Sequence, residues 1–239
     1  MTTETASQPT RVTYVGHGTV LIEMDGVRIL TDPSLRRWTG ALRRYGPLLV
    51  GRTVHKVGFR TVIETRRDTL LHVGDVDVLA VHASHTRRRW VLTPATEPLG
   101  FIIQGSSTIY FAGDTGLFDG MEDLHERIDL ALLPIETWGV RPPEGRHLSP
   151  RSAAGALALL RPRIAVPIHW GALYVPGSAY AGKQGTYAWF QKTRKRPEAF
   201  AAIAAEKAPE VEVRLLDPGE SLTIEPQEGG AQPEGSSST

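Results

Sequence analysis

Two runs in the second half of the chain, Leu130–Ile135 and Ile164–Ile168, are apolar at every position. Runs this short and this uniform are the mark of strands covered on both faces, which places them inside a sheet lying between two layers. The rest of the chain repeats the theme, with β-branched and apolar runs set between turn signals. Arg11–Val15, Thr19–Met24 and Val27–Thr31 read as three short strands, and Asp25-Gly26 as the tight hairpin turn between the last two. Val76–Val81, Leu99–Gln104 and Thr108–Ala112 read as further strands, with Gly105-Ser106-Ser107 turning the last pair. Val211–Leu216 and Ser221–Ile224 close the domain.

Helical signals are fewer. Ser149-Pro150 has the N-cap residue and first-turn proline of a helix whose Ala/Leu-rich body runs to Leu160. Pro197 to about Ala208 is a second helix, and Gly120–Arg127 a shorter one. Leu35, Trp38, Leu42 and Tyr45 interleave with Arg36, Arg37, Arg43 and Arg44, which suits a solvated amphipathic helix or an anionic head-group site. Strands with helices set among them predict an α/β sandwich of sheets flanked by helices. The expected division is one domain over residues 11–225, with polar, disordered ends at 1–10 and 226–239.

Composition narrows the chemistry. With no cysteine, a transition metal has only His, Asp and Glu to bind, the ligand set of catalytic rather than structural zinc. A formal net charge of +1 gives no reason to expect nucleic acid. No run has the length and apolarity of a membrane span, and the first residues lack the order of a secretory signal, so a cytoplasmic protein is expected.

Three residues of metal-ligand type fall just past apolar strands: His85 after Val76–Val81, Asp114 after Thr108–Ala112, and His169 after Ile164–Ile168. One histidine at a strand end is more often a structural hydrogen-bonder, but three such positions together point to a metal site at one sheet edge. Gly113 and Gly116 flank Asp114 and allow tight turning there. Other features read as bland. His82 is structural, and His55, His72 and His125 are surface or packing residues. Arg87–Arg89 with Trp90 could face an anionic substrate or be ordinary surface charge, and Lys192–Arg196 is a solvated basic run. Gly177–Gln184 fails as a phosphate loop, because Gln stands where Ser or Thr must reach magnesium.

The segments YFAGDTG (110–116), DLALLPI (129–135), HLSPRSAAGALALLRPRIAVPIHWG (147–171) and VGHGTVLIEMDGVRILTDP (15–33) resemble the metallo-β-lactamase superfamily. The branch most similar holds the L-ascorbate-6-phosphate lactonase-like proteins and N-acylphosphatidylethanolamine-hydrolysing phospholipase D. The resemblance implies an αββα sandwich. It also implies that Asp114 bridges two metal ions as the central catalytic residue, while His85 binds one ion and His169 the other. The ions would be zinc, or manganese or iron. Metal-activated water would attack an ester, lactone or phosphodiester bond of a small or lipid-like anionic substrate. His17, Asp32 and His147 match positions at the mouth of such a site, where they would touch substrate or support the ligands.

One departure stands beside this match. The superfamily's H-x-H-x-D-H segment should lie between Asp32-Pro33 and the stretch 57–64, yet only Ser34–Lys56 is there, with His55 as its single histidine. No H-x-H occurs anywhere in the chain, and the junction at 46–51 has the look of a deletion that shortens the N-terminal half. Each of two ions would then keep two protein ligands, where catalytic zinc normally has three. Three readings stay open: a working hydrolase with one or two ions, an inactive relative kept for binding, and an incomplete copy of such an enzyme.

Overall fold

The computed structural model describes residues 9–33, 38–39, 42–44, 63–85, 97–124, 127–135, 147–171, 173–174 and 183–226. The strands, in chain order, are β1 (Thr10–Gly16), β2 (Thr19–Met24), β3 (Val27–Leu30), β4 (Trp38–Thr39), β5 (Leu42–Arg44), β6 (Leu70–Val73), β7 (Val76–His82), β8 (Leu99–Gln104), β9 (Thr108–Phe111), β10 (Leu130–Pro134), β11 (Ile164–Ile168), β12 (Leu173–Tyr174), β13 (Glu212–Val213) and β14 (Ser221–Ile224). Two helices are described, α1 (Pro150–Leu160) and α2 (Lys183–Lys207), with a 3-10 turn at Met121–Asp123.

The central sheet runs β13-β11-β10-β9-β8-β7-β6. Its β9, β10, β11 and β13 are parallel, and β8, β7 and β6 follow antiparallel. Because β8 reverses direction between them, β7 points the same way as β9, so β7, β9 and β11 all end at one edge. A second, antiparallel sheet has the order β14-β1-β2-β3. A third, small one joins β12, β5 and β4.

β9, β10 and β11 are buried at every residue, so both faces of the central sheet are covered there. Val12, Tyr14, Val20, Ile22 and Met24 from β1 and β2 join the same apolar core as these strands. The helices contribute Ala153, Ala154, Ala156, Leu157 and Leu160 from α1 and Phe200 and Ala204 from α2. Each fully buried leucine of α1 contributes about 2 kcal/mol. The result is the α/β sandwich that the alternating runs imply: helices on a sheet, and a second sheet behind it.

α1 starts where Ser149-Pro150 signals it. Ser149 accepts from the Ser152 backbone N–H while Ser152 reaches back, a complete capping box. Arg161 ends the helix in the left-handed conformation with φ 44°.

Several boundaries and assignments differ from the sequence reading. α2 begins at Lys183, not at Pro197, which lies inside the helix and costs it one i→i−4 bond instead of opening it. The short helix expected over Gly120–Arg127 is a single 3-10 turn, since Gly120 (φ 89°) has no side chain to cap a longer one. The amphipathic helix expected around Trp38 and Leu42 is instead the β4–β5 pair, whose β5 is bonded on its other side to β12. β1 starts at Thr10, a buried residue inside the expected loose terminus. The Val211–Leu216 strand shrinks to Glu212–Val213. β6 was missed: its Leu70 and Val73 are 48% and 45% exposed, so it has no buried face for a pattern to reveal. His55, His125, Arg87–Arg89, Trp90 and residues 177–182 lie outside the described residues.

The turn after β9 depends on Gly113. Its φ is 62°, and a Cβ there would sit 2.8 Å from the Leu99 carbonyl oxygen. Gly113→Ala therefore incurs both a left-handed backbone penalty and a backbone clash. Urea unfolding should show a loss of about 2 kcal/mol or more; an unchanged midpoint would show that this turn does not hold the strand end in place.

Candidate functional site

The chain gathers its histidines at the edge where β7, β9 and β11 end. His85 lies three residues past β7, Asp114 follows β9 through Gly113, and His169 follows β11 directly. His147 comes from a fourth element, two residues before the Ser149 cap of α1. Backbone bonds lace these ends together. The Gly116 N–H donates to the Ser84 carbonyl at 2.7 Å, and the Leu148 N–H to the Thr115 carbonyl at 2.8 Å. The Thr115 hydroxyl accepts from the Ser84 N–H at 2.9 Å and donates to the Gly116 carbonyl. Thr115 is fully buried, and it ties the His85, Asp114 and His147 segments to one another. Sequence reasoning passed over it; its place beside Asp114, between two glycines of the turn, was the available signal.

The side chains meet in two pairs. His169 Nε2 lies 3.0 Å from Asp114 Oδ1, and His85 Nε2 lies 3.0 Å from His147 Nε2 with the rings near perpendicular at 82°. Burial alone would raise the pKa of Asp114. The His169 hydrogen bond and the charges of His169, His85 and His147 more than offset this and hold it well below the usual carboxylate range. His147 is shifted down, first by burial and then by the neighbouring His85, with Asp114 opposing. Asp114 is thus an anion at neutral pH, with three imidazoles within electrostatic reach.

His17, in the turn between β1 and β2, stacks on His169 with ring centroids 3.7 Å apart. Asp32 is exposed, and its carboxylate lies against Gly18, where a Cβ would be 3.1 Å from Oδ2. The structure therefore brings together His85, Asp114, His147, His169 and His17, and leaves Asp32 on the rim of the adjoining turn. His82, the last residue of β7, packs edge-on against Phe118, and His72 pairs with Asp77 at 2.5 Å on the β6–β7 hairpin.

The donor atoms have the right chemistry for a divalent cation, imidazole nitrogens and a carboxylate oxygen. Donors on a tetrahedral zinc lie roughly 3.4 Å apart, so the spacing within each pair suits neighbours on one ion. Convergence is incomplete. Among the described residues no three His, Asp or Glu side chains are grouped to hold an ion. The arrangement supplies two donors and two donors, not a closed shell of three.

Residues 27–170, more than half of the 239-residue chain, match the family model described as the beta-lactamase superfamily domain. The chain belongs to that superfamily. Among its relatives is the UPF0173 metal-dependent hydrolase of Caldivirga maquilingensis, 28% identical over 88% of this chain and 96% of its own length. The UPF0173 metal-dependent hydrolase of Methanopyrus kandleri is 27% identical over 88% and 98%. Igni18, a metallo hydrolase of Ignicoccus hospitalis, superposes with a TM-score of 0.61 at 23% identity, covering 91% of this chain and 99% of that one. The metallo-beta-lactamase fold protein YhfI of Bacillus subtilis gives 0.58 at 14% identity, over 90% and 100%. At these identities the two structures show the fold: this beta-lactamase superfamily chain is a metallo-β-lactamase-type α/β sandwich.

The Asp114 shift has a definite sign. A carboxylate whose folded pKa is depressed adds stability that is fully present above its unfolded pKa and is lost as pH falls through the folded value. The stability of wild type over Asp114→Asn should hold from neutral pH down to about 5, then shrink steadily below about 4. Thermal melts of both proteins across that range measure it; a difference that grows towards acid pH would contradict the assignment.

Proposed function

We propose that this chain is a divalent-cation-assisted hydrolase acting on an ester, lactone or phosphodiester bond of a small or lipid-like anionic substrate. The observation that carries the reading is the Asp114 carboxylate, 3.0 Å from His169 and within electrostatic reach of the His85–His147 pair, at strand ends of this fold. The names of its UPF0173 relatives, metal-dependent hydrolases, support it. Asp114, His169 and His85 would hold the ion, zinc or else manganese or iron, and one ion is the occupancy these donors suit better than two. When bound, such an ion lowers the pKa of water towards neutrality and draws charge from the oxygen of the scissile bond. Asp114 supplies the negative charge that attracts the cation. His169 fixes one carboxylate oxygen, and His147, kept neutral by its burial, is placed to take or give a proton beside His85.

A second reading is favoured by a specific observation. The described donors stand in pairs without a third, and the chain has no H-x-H sequence. On that reading the fold is kept for binding, or the chain is a shortened copy of an enzyme, and the pairs satisfy one another as a polar network.

Elemental mass spectrometry of the purified chain separates the two. The hydrolase reading expects about one zinc, iron or manganese ion per chain. It also expects that ion to be lost in Asp114→Ala and His85→Ala, with cleavage of bis-p-nitrophenyl phosphate falling to background in both. A folded wild type with no metal and no cleavage would leave the second reading standing.

A further inference from the structure

His169 is held in an unusual way for a residue of its role. Its ring is buried and donates through Nε2 to Asp114, yet among the described residues the buried Nδ1 has no hydrogen-bond partner. A working histidine normally has its second nitrogen bonded to a carbonyl or carboxylate, which fixes both the tautomer and the ring plane. Among the described residues none does so for His169.

What lies against the ring is His17. Its imidazole covers His169 with centroids 3.7 Å apart and planes 36° from parallel, and its carbonyl accepts the His169 backbone N–H at 2.8 Å. The next residue is clamped from the same strand: the Tyr14 hydroxyl donates to the Trp170 carbonyl at 2.7 Å, and the Trp170 N–H donates back to that hydroxyl at 3.3 Å. β1 and its turn thus grip residues 169–170 by main chain and side chain together. The grip passes from one sheet to the other.

We propose that His17 is a positioning residue that fixes the plane of the His169 ring by packing its imidazole against that ring, in place of the hydrogen bond that Nδ1 lacks among the described residues. The face of the His17 ring is the part that makes this contact. This rests on the reading of His169 as a ligand or proton-handling group of the proposed site.

Two variants separate ring from nitrogens. His17→Asn suits the left-handed backbone at this position (φ 58°) but has no ring. His17→Phe keeps a ring without nitrogens and carries the greater backbone penalty, so recovery in it would come against that penalty. Two readouts are compared on the full chain. They are the nitrogen–proton correlation spectrum of the His169 imidazole and the affinity for Zn2+ by chelator competition.

In wild type and His17→Phe, His169 should show one tautomer, protonated on Nε2. In His17→Asn that signal should broaden or split, with Zn2+ affinity lower by about tenfold, while Phe restores affinity to within about threefold. An Asn variant that matches wild type in both readouts overturns the proposal. So does a Phe variant as weak as Asn, because the nitrogens would then be what matters. If wild type binds no Zn2+, the metal reading fails while the His169 spectrum still decides the role of His17. The same spectrum of His17→Asn decides alone if His17→Phe does not fold.

Discussion

The parallel strands β9, β10 and β11 are buried along their whole length, and this governs what the chain can do where they end. Inside the sheet these strands pair along parallel ladders, but at the last residue of each strand the ladder stops. An unpaired buried backbone group costs about 1–3 kcal/mol, so each emerging segment must find partners at once. The Asp114 loop finds them in Ser84 and Leu148, and the His169 segment in His17. The partners are other strand ends and turns. The backbone satisfaction that ends the sheet is therefore the same event that gathers His85, Asp114, His147 and His169.

Two carboxylates of this sheet show how environment sets what an acid can respond to. Asp129, just before β10, accepts the Thr108 N–H at 2.9 Å through Oδ2, and its Oδ1 faces Arg127 and Arg163 at 3.5 and 3.7 Å. Guanidinium groups are permanent cations, so this contact is as strong at one physiological pH as at another. Asp114 has imidazoles in place of guanidinium groups. Imidazole nitrogens, unlike guanidinium groups, can also bind metal. Both carboxylates are satisfied by their neighbours, but only an imidazole setting can respond to a proton or a cation.

Much of this was legible in the sequence, for a definite reason. Thr19–Met24, Leu99–Gln104, Ile164–Ile168 and Ser221–Ile224 coincide with strands to the residue, because their apolar pattern and turn residues are local properties. So is the Ser149 cap. His85, Asp114 and His169 could be picked out because a ligand-type residue after an apolar strand is visible in one dimension, and strand direction then puts them at one edge. The contact of His147 with His85 was not legible, since it depends on how the segment before α1 is tied to Thr115 across 32 residues of chain. The β4–β5 pair was hidden for a similar reason. A strand two or three residues long owes its existence to its neighbour, here β12, and not to its own pattern.

The left-handed residues carry the argument one step further. Among the described residues, six non-glycine positions have positive φ, three of them Asp25 in the β2–β3 hairpin turn, Asp68 in the turn before β6 and Arg161 at a helix end, where local rules call for that conformation. His17, Asp32 and His169 make up the rest, and they share one neighbourhood. The Thr19 hydroxyl holds the Asp32 carbonyl at 2.7 Å, and the His17 carbonyl holds the His169 N–H. Such conformations cost of order 1 kcal/mol or more each and persist where the surroundings over-determine them. The determining force here is the docking of the β1–β2 turn onto the end of β11. The orientation of His169 is thus a property of the contact between two sheets more than of its own strand. A change that loosens that contact would disturb the site before it unfolds the chain.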